Sequence, residues 1–234
     1  METKKERVRD MFNSIAPRYD LLNHTLSLNI DRRWRAKVVK MVCASGARTV
    51  LDVATGTGDL AIGLAAAGVN HIVGVDLSPA MADVGRCKVK DQSLDEVIEI
   101  QVQDVEQLNF ETASFQAVTC GFGVRNFENL DAGLSQMHRV LADGGGCFIL
   151  EFSKPGKGLW GAIYGLYFHH VLPLIGRMIS GSKAAYSYLP ASVDGFVCGD
   201  DFLHRMRAAG FDRLSKKELM GAIATIYIGY KTTK

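Results

Sequence analysis

Three carboxylates frame a short glycine-rich segment, and their spacing is the first chemistry the chain offers. In Val50-Leu51-Asp52-Val53-Ala54-Thr55-Gly56-Thr57-Gly58-Asp59-Leu60 a β-branched run ends in two glycines one residue apart, flanked by Asp52 and Asp59. Asp76 follows Gly56 by twenty residues and closes the apolar run Ile72-Val73-Gly74-Val75. A glycine turn between strand and helix brings a ligand close to backbone N–H groups, and a carboxylate at this distance meets a pair of ribose hydroxyls. Such a site takes a nucleotide-like ligand. Acids beside the loop repel a pyrophosphate and attract a ligand with a cationic end. S-Adenosylmethionine carries a sulfonium and an ammonium and no phosphate. Asp52, Gly56, Gly58 and Asp76 are therefore read as its binding residues, and methyl transfer as the chemistry; an NAD-dependent Rossmann oxidoreductase is the competing reading.

The elements that would position these residues follow from the hydrophobic pattern. Strands are expected at 49–53, 71–76, 97–102, 115–120 and 146–151, with helices at 58–67, 79–88 and 129–141 between them. That alternation implies an α/β fold with a mostly parallel sheet covered by helices on both faces, its ligand at the carboxyl ends of the strands. The third strand ends in Asp104-Val105, placing a carboxylate for an adenine amino group and an N–H for a ring nitrogen. The fourth ends in Cys120-Gly121-Phe122-Gly123-Val124-Arg125-Asn126, whose Gly121 and Gly123 leave room for a flat substrate or the methyl-bearing sulfur.

Outside this core the pattern is less regular. Residues 4–16 read as a helix broken by Pro17, and 30–43 as an amphipathic helix turning Trp34, Val38, Val39 and Val42 to the core. Between them, 19–27 read as a loop that folds over the site as a lid. Residues 159–176 contain eighteen positions without Asp, Glu, Lys or Arg, yet His169-His170, Pro173 and several glycines argue against a membrane span. A helical cap over a greasy substrate is the favoured reading of that run. A helix at 200–209 and two strands, 212–219 and 223–230, complete the chain as a hairpin at the sheet edge with the last strand antiparallel. The expected organisation is one domain: a lid over 1–45, a cofactor core over 49–153, an apolar insertion over 155–197, and a closing helix and edge strands over 198–234.

Composition agrees with a globular enzyme. The 234 residues are 47% apolar and 22% charged, enough for a full core. Five scattered cysteines without a C-x-x-C pair fit neither a zinc site nor a disulfide framework, and no metal-ligand spacing is visible. With no apolar stretch behind the N-terminus, a cytoplasmic location is expected. Residues 1–40 carry ten Lys/Arg against five Asp/Glu, residues 41–150 six against fourteen, and 201–234 seven against three. The acidic middle suits a cationic cofactor. The basic ends suit an anionic surface, read here as the inner face of a membrane; a nucleic-acid partner is disfavoured because the aromatics of 159–176 cluster without charge. A homodimer is left open.

Several segments, in order along nearly the whole chain, resemble one family. Tyr19-Asp20-x-Leu22-Asn23-x-x-Leu26-Ser27 with Trp34, Phe122-Gly123-Val124-Arg125-Asn126, Arg139-Val140-Leu141 through Gly144-Gly145 to Glu151-Phe152-Ser153, Tyr186-x-Tyr188-Leu189-Pro190-x-Ser192 and Gly229-Tyr230-Lys231 are similar to the motifs of the UbiE/MenG quinone-biosynthesis C-methyltransferases. The resemblance implies a class I methyltransferase fold of Rossmann-like type, with a seven-stranded sheet and an antiparallel edge strand. It also implies S-adenosylmethionine as donor and a ring carbon of a prenylated quinol as acceptor. Carried over by motif, the cofactor contacts are Thr57, Asp76, Asp104, Val105 and Gly121. Demethylmenaquinol is the preferred acceptor and the benzoquinol of ubiquinone biosynthesis the alternative. The chain departs from the family at Leu22 (usually Met), Asp31 (usually His), Ala142-Asp143 (usually Lys-Pro) and Met220 within Leu219-Met220-Gly221-Ala222 (usually Leu-Thr-x-Gly).

A carbon acceptor is a poor nucleophile until a neighbouring quinol oxygen becomes a phenolate. Arg125 is expected to stabilise that oxyanion, directly or through a water, and Asn126 to orient it. After transfer the ring must lose a proton, for which His169, His170, Tyr19 and Tyr188 are all candidates near the substrate.

Overall fold

The computed structural model describes residues 2–154 and 183–232. In chain order the elements are α1 (Lys4–Ile15), α2 (Tyr19–Leu26), α3 (Ile30–Ala44), β1 (Thr49–Val53), α4 (Asp59–Ala66), β2 (His71–Asp76), α5 (Pro79–Asp91), β3 (Ile98–Val102), β4 (Phe115–Gly121), α6 (Leu130–Val140), β5 (Leu141–Phe152), α7 (Lys183–Asp194), α8 (Asp200–Ala208), β6 (Asp212–Leu219) and β7 (Ala224–Tyr230). Most of the apolar insertion expected over 155–197, including His169 and His170, lies outside the described residues.

The strands form one seven-stranded sheet in the order β3-β2-β1-β4-β5-β7-β6. Strands β1 to β5 pair in parallel, and β7 runs antiparallel to both β5 and β6. The hairpin closes the sheet at its edge, as expected; within it the antiparallel member lies one position in, and β6 is the edge strand itself. Alternation along each central strand explains the two-sided core. Val50 and Ile72 face a cluster with Trp34, Val38 and Leu64 of α3 and α4, while Leu51, Val53 and Val73 face Leu134 and Met137 of α6 and Phe202 and Met206 of α8.

Strand order reverses between β1 and β4, so the loops leaving them diverge to opposite faces and open a crevice at their carboxyl ends. Local signals set the helices around it. Ser78 caps α5 through the Met81 N–H, with Pro79 in the first turn, and Thr3 and Glu6 form a reciprocal capping box on α1.

One expectation changes. Residues 19–26 form helix α2, entered from a 3-10 turn over Ala16–Arg18, where the sequence read as a loop. Asp, Asn and Thr have weak helix propensity, so the local text argues for a loop. Tertiary contacts decide otherwise: Asp20 is held by Lys88 of α5, and His24 lies between Asp31 and Asp59. Leu28 and Asn29, both with left-handed backbone, then turn the chain into α3.

Candidate active site

The glycine loop is built around a buried carboxyl. Asp52 sits in the middle of the sheet and accepts the Thr55 and Thr119 hydroxyls at 2.7 Å each, tying β1 to its own loop and to β4. Burial pushes its pKa up to about 6, with the two hydroxyls offsetting part of the shift. Both oxygens are thus engaged by the protein. Asp52 also borders the smaller lobe, so the ligand contact expected from the sequence would share this carboxyl with the loop it holds.

Ala54, Gly56 and Gly58 all have positive φ, and the conformation at Ala54 is one that a residue with a Cβ adopts at a cost of about 1 kcal/mol. Asp76, at the end of β2, accepts the Gly56 N–H on one oxygen and the Ser78 N–H on the other, both at 2.8 Å. A carboxylate offers about four lone-pair positions, so Asp76 retains capacity for a hydroxyl donor beside these backbone groups.

The crevice has two connected lobes that share Tyr19, Ala54, Gly56 and Gly121. The larger, about 730 Å³, runs from Asp76 and Met81 past Asp104 and Val105 to Asn126, roofed by Lys5, Val8 and Phe12 of α1. The smaller, about 310 Å³, lies over Thr55, Thr57 and Asp59 and is bounded by Arg35. Gly121 sits where they meet. A Cβ there would make ordinary contact with Leu60 at 3.5 Å, so the residue leaves open space without being demanded by packing. At Gly123, by contrast, a Cβ would lie 2.5 Å from that of Ala54, so only glycine lets these strand ends approach.

Helix α1 is drawn over the larger lobe by charge. Lys5 pairs with Asp104 at 2.5 Å and Glu106 at 3.2 Å, Lys4 donates to the Phe127 carbonyl at 2.5 Å, and Asn13 accepts from the Ser78 hydroxyl at 2.6 Å. Asp104 also accepts the Glu106 N–H, so the expected adenine contact shares this carboxylate with a lysine.

Arg125 and Asn126 separate in role. Asn126 lines the crevice and accepts the Tyr188 hydroxyl at 3.0 Å. Arg125 is turned into the wall: Nη1 bonds Glu151 Oε1 at 2.7 Å and the Phe122 carbonyl, Nε bonds Ser192, and the guanidinium lies 5.4 Å from the Phe152 ring centroid. Glu151 is fully buried; burial pushes its carboxyl up and Arg125 pulls part of the shift back. The guanidinium expected to meet an acceptor oxyanion is here engaged in a buried ion pair, which offsets part of the cost of holding Glu151 charged away from water. Tyr19 borders both lobes, Tyr188 reaches the site through Asn126, and burial raises both phenols.

Sequence reasoning missed a polar network joining α2 and α3 to the loop. Lys88 bonds Asp59 at 2.5 Å and Asp20 at 2.7 Å, Asp20 accepts the Thr57 hydroxyl at 2.5 Å, and His24 and Arg35 approach Asp59 at 3.5 and 3.9 Å. Burial alone would raise the Asp59 carboxyl, but Arg35, Lys88 and His24 together hold it below the usual value. Asp59 is one of the two carboxylates, with Asp52, expected to attract a cationic ligand; here its charge is answered within the protein. Asp20, His24 and Asp59 bring ligand atoms within 4.8 Å of one another, with the Lys88 ammonium already bonded to two of them. The Asp31/Arg35 i, i+4 spacing was a legible signal for part of this network.

Two outcomes are expected. Between about pH 4 and pH 6 native Asp52 keeps a proton that the unfolded chain releases, so its contribution makes stability fall as pH rises through that window and level off above it. In urea melts, Asp52→Asn should remove that fall, changing the variant-minus-wild-type difference by on the order of 3 kcal/mol between pH 4 and pH 7; parallel profiles would show that Asp52 titrates normally. Arg125→Met leaves Glu151 buried without its cation and should cost about 3–5 kcal/mol, whereas a variant as stable as wild type would mean the pair is not what orders this wall.

The family model described as the ubiE/COQ5 methyltransferase family matches residues 1–231. A Geobacter sp. (strain M21) protein named ubiquinone/menaquinone biosynthesis C-methyltransferase UbiE is 48% identical over 234 residues, covering 99% of both chains. A Deinococcus radiodurans protein named demethylmenaquinone methyltransferase is 46% identical over 231 residues, covering 98% of this chain and 95% of its own. Among solved structures, the cyclase SpnF superposes with a TM-score of 0.75 at 16% identity, covering 99% and 98% of the two chains. A Haemonchus contortus phosphoethanolamine N-methyltransferase 2 in complex with S-adenosylmethionine gives 0.60 at 15%, covering 80% of this chain and 49% of its own. The architecture is that of S-adenosylmethionine-dependent methyltransferases, and the match along the whole length identifies this chain as a member of the ubiE/COQ5 methyltransferase family.

Proposed function

We propose that this enzyme methylates a ring carbon of a prenylated quinol, with demethylmenaquinol as acceptor and S-adenosylmethionine as donor. The observation that carries the reading is the near full-length similarity to proteins named for that reaction, joined to a two-lobed crevice at the strand reversal. The donor set fits the cofactor. Asp76 borders the larger lobe with lone-pair capacity left for a ribose hydroxyl, Asp104 and Val105 border the same lobe for the adenine, and Gly56 and Thr57 floor the way into the smaller one. When bound, the sulfonium supplies an electrophilic methyl group.

The residues of the chain do the rest by position and polarity. Holding acceptor and methyl at attack distance in a crevice roofed by α1 supplies much of the acceleration. With its amide oxygen engaged by Tyr188, Asn126 has N–H groups left to donate to a developing phenolate. Arg125 fixes the 122–126 turn from behind by its bonds to Glu151 and the Phe122 carbonyl. Tyr19 and Tyr188 stay protonated near neutrality, their phenols raised by burial, and serve as donors rather than as bases for the final ring proton. His169 and His170 remain the candidate proton acceptors.

The prenyl tail calls for a lipid interface. Among the described residues, no helix is long and apolar enough to cross a membrane. Leu21, Leu28 and Met220 are 62%, 74% and 55% exposed, and Met220 lies in the turn leading to Ala224, which pairs with Phe152 at the carboxyl end of β5. These side chains, with the basic N-terminal region, form the proposed peripheral contact. Anionic vesicles should sediment the protein at low salt and release it at high salt; protein that stays in the supernatant at low salt would refute this contact.

The reaction is tested with labelled adenosylmethionine and two reduced short-tail acceptors, a demethylnaphthoquinol and a benzoquinol. Label in the naphthoquinol product is the expected result, and Asn126→Ala should cut its turnover roughly 100-fold with cofactor affinity unchanged. Label in the benzoquinol alone would move the enzyme to the other route. Label in neither, with adenosylmethionine bound, would refute the quinol assignment.

A further inference from the structure

Among the described residues that border the smaller lobe, Arg35 is the one cation. Its guanidinium is set in place from one side. Nη1 bonds Asp31 one turn earlier on α3 and approaches Asp59 at 3.9 Å, and the guanidinium carbon lies 5.5 Å from the Phe122 ring centroid. Asp31 is itself held, accepting the Ser27 hydroxyl at 2.5 Å with His24 Nδ1 at 3.0 Å. Among the described residues, Arg35 Nε and Nη2 make no hydrogen bond, although the side chain is only 12% exposed. A planar fork with one arm tied to a carboxylate and the other edge open presents two parallel N–H groups, the geometry that receives a second carboxylate.

The charges around the lobe point the same way. Asp59 is bonded by Lys88, and Asp52 is occupied by two threonine hydroxyls. Among the described residues Arg35 is thus the positive group left facing a space otherwise bordered by acidic, hydroxyl and small apolar groups, and it is the cationic partner there for an entering anionic group.

We infer that Arg35 is the receptor for the α-carboxylate of the donor's methionyl end, making it a binding and specificity residue for the cofactor. The inference rests on the adenosylmethionine reading above. It places the sulfonium end of the ligand by an anchor outside the glycine loop, on a helix of the N-terminal region, so that α3 contributes directly to the cofactor site. It also gives the Asp31/Arg35 pair a purpose beyond helix stability: Asp31 and Phe122 hold the guanidinium plane, and the site need not order a free arginine when ligand arrives.

The test is calorimetric titration of wild type, Arg35→Lys and Arg35→Met with three probes: S-adenosylhomocysteine, its decarboxylated amine, and 5′-methylthioadenosine, which lacks both charged groups. Wild type should bind adenosylhomocysteine about 10- to 100-fold more tightly than the amine, the span of a charge-assisted bidentate contact. In Arg35→Met the two affinities should converge while methylthioadenosine binding stays within about twofold, which also shows the variant is folded; Arg35→Lys, with charge but no fork, should fall between. If Arg35→Met weakens all three probes equally, or keeps the wild-type preference for the carboxylate, the assignment is overturned. If wild type binds none of the three, the adenosylmethionine reading itself falls, a result distinct from either.

Discussion

Everything at this site depends on a carboxyl group buried in the middle of the sheet. Asp52 accepts one hydroxyl from the loop that follows its own strand and one from the neighbouring strand β4, at the place where strand order reverses. The reversal opens the crevice, and the two bonds keep its rims from drifting. An acid in this position is costly to ionise, which is the sign of its raised pKa, but its two short hydroxyl contacts define a loop geometry that a floppy glycine segment would not hold alone. The left-handed backbone at Ala54, beside the crevice, marks where that constraint is absorbed.

Around this frame helix α3 is packed into the core by Trp34, Val38 and Val42, while α1 and α2 are held largely by charge. Lys5 reaches Asp104 on one lobe, and Lys88 gathers Asp20 and Asp59 on the other. Helix α1 buries Val8 alone among its residues, so its seat over the crevice relies on polar contacts exchangeable with water. Attachments of that kind are individually weak and reversible. A roof built this way suits a site that must admit a cofactor and then exclude solvent.

The opposite wall is stiffer. Phe122 and Phe152 stack at 4.5 Å with Trp34 edge-on to Phe152, and the guanidinium groups of Arg35 and Arg125 lie over Phe122 and Phe152 respectively. The Arg125/Glu151 pair locks the turn that carries Asn126. Rigid aromatic and ionic packing in this wall and a polar, separable roof opposite it divide the work of orientation from that of access.

Much of this was legible from residue types and spacing. The βαβ alternation, the strands at 49–53, 71–76 and 212–219, the glycine loop and the Asp76 partner all follow from local pattern, because strand burial and turn chemistry are short-range properties. What the linear text could not supply were pairings between groups far apart in the chain. It marked Asp59 and Asp52 as free acids, and three-dimensional neighbours answer both. It marked Arg125 as an open cation, and Glu151, twenty-six residues on, takes it into the wall. It read 19–27 as a loop, and contacts to α5 and α4 wind it into a helix. Residue order determined the fold class and where the crevice opens; only the tertiary structure decided which charges remain available there, because a charge is free or spent according to what lies within a few ångströms of it, whatever its place in the sequence.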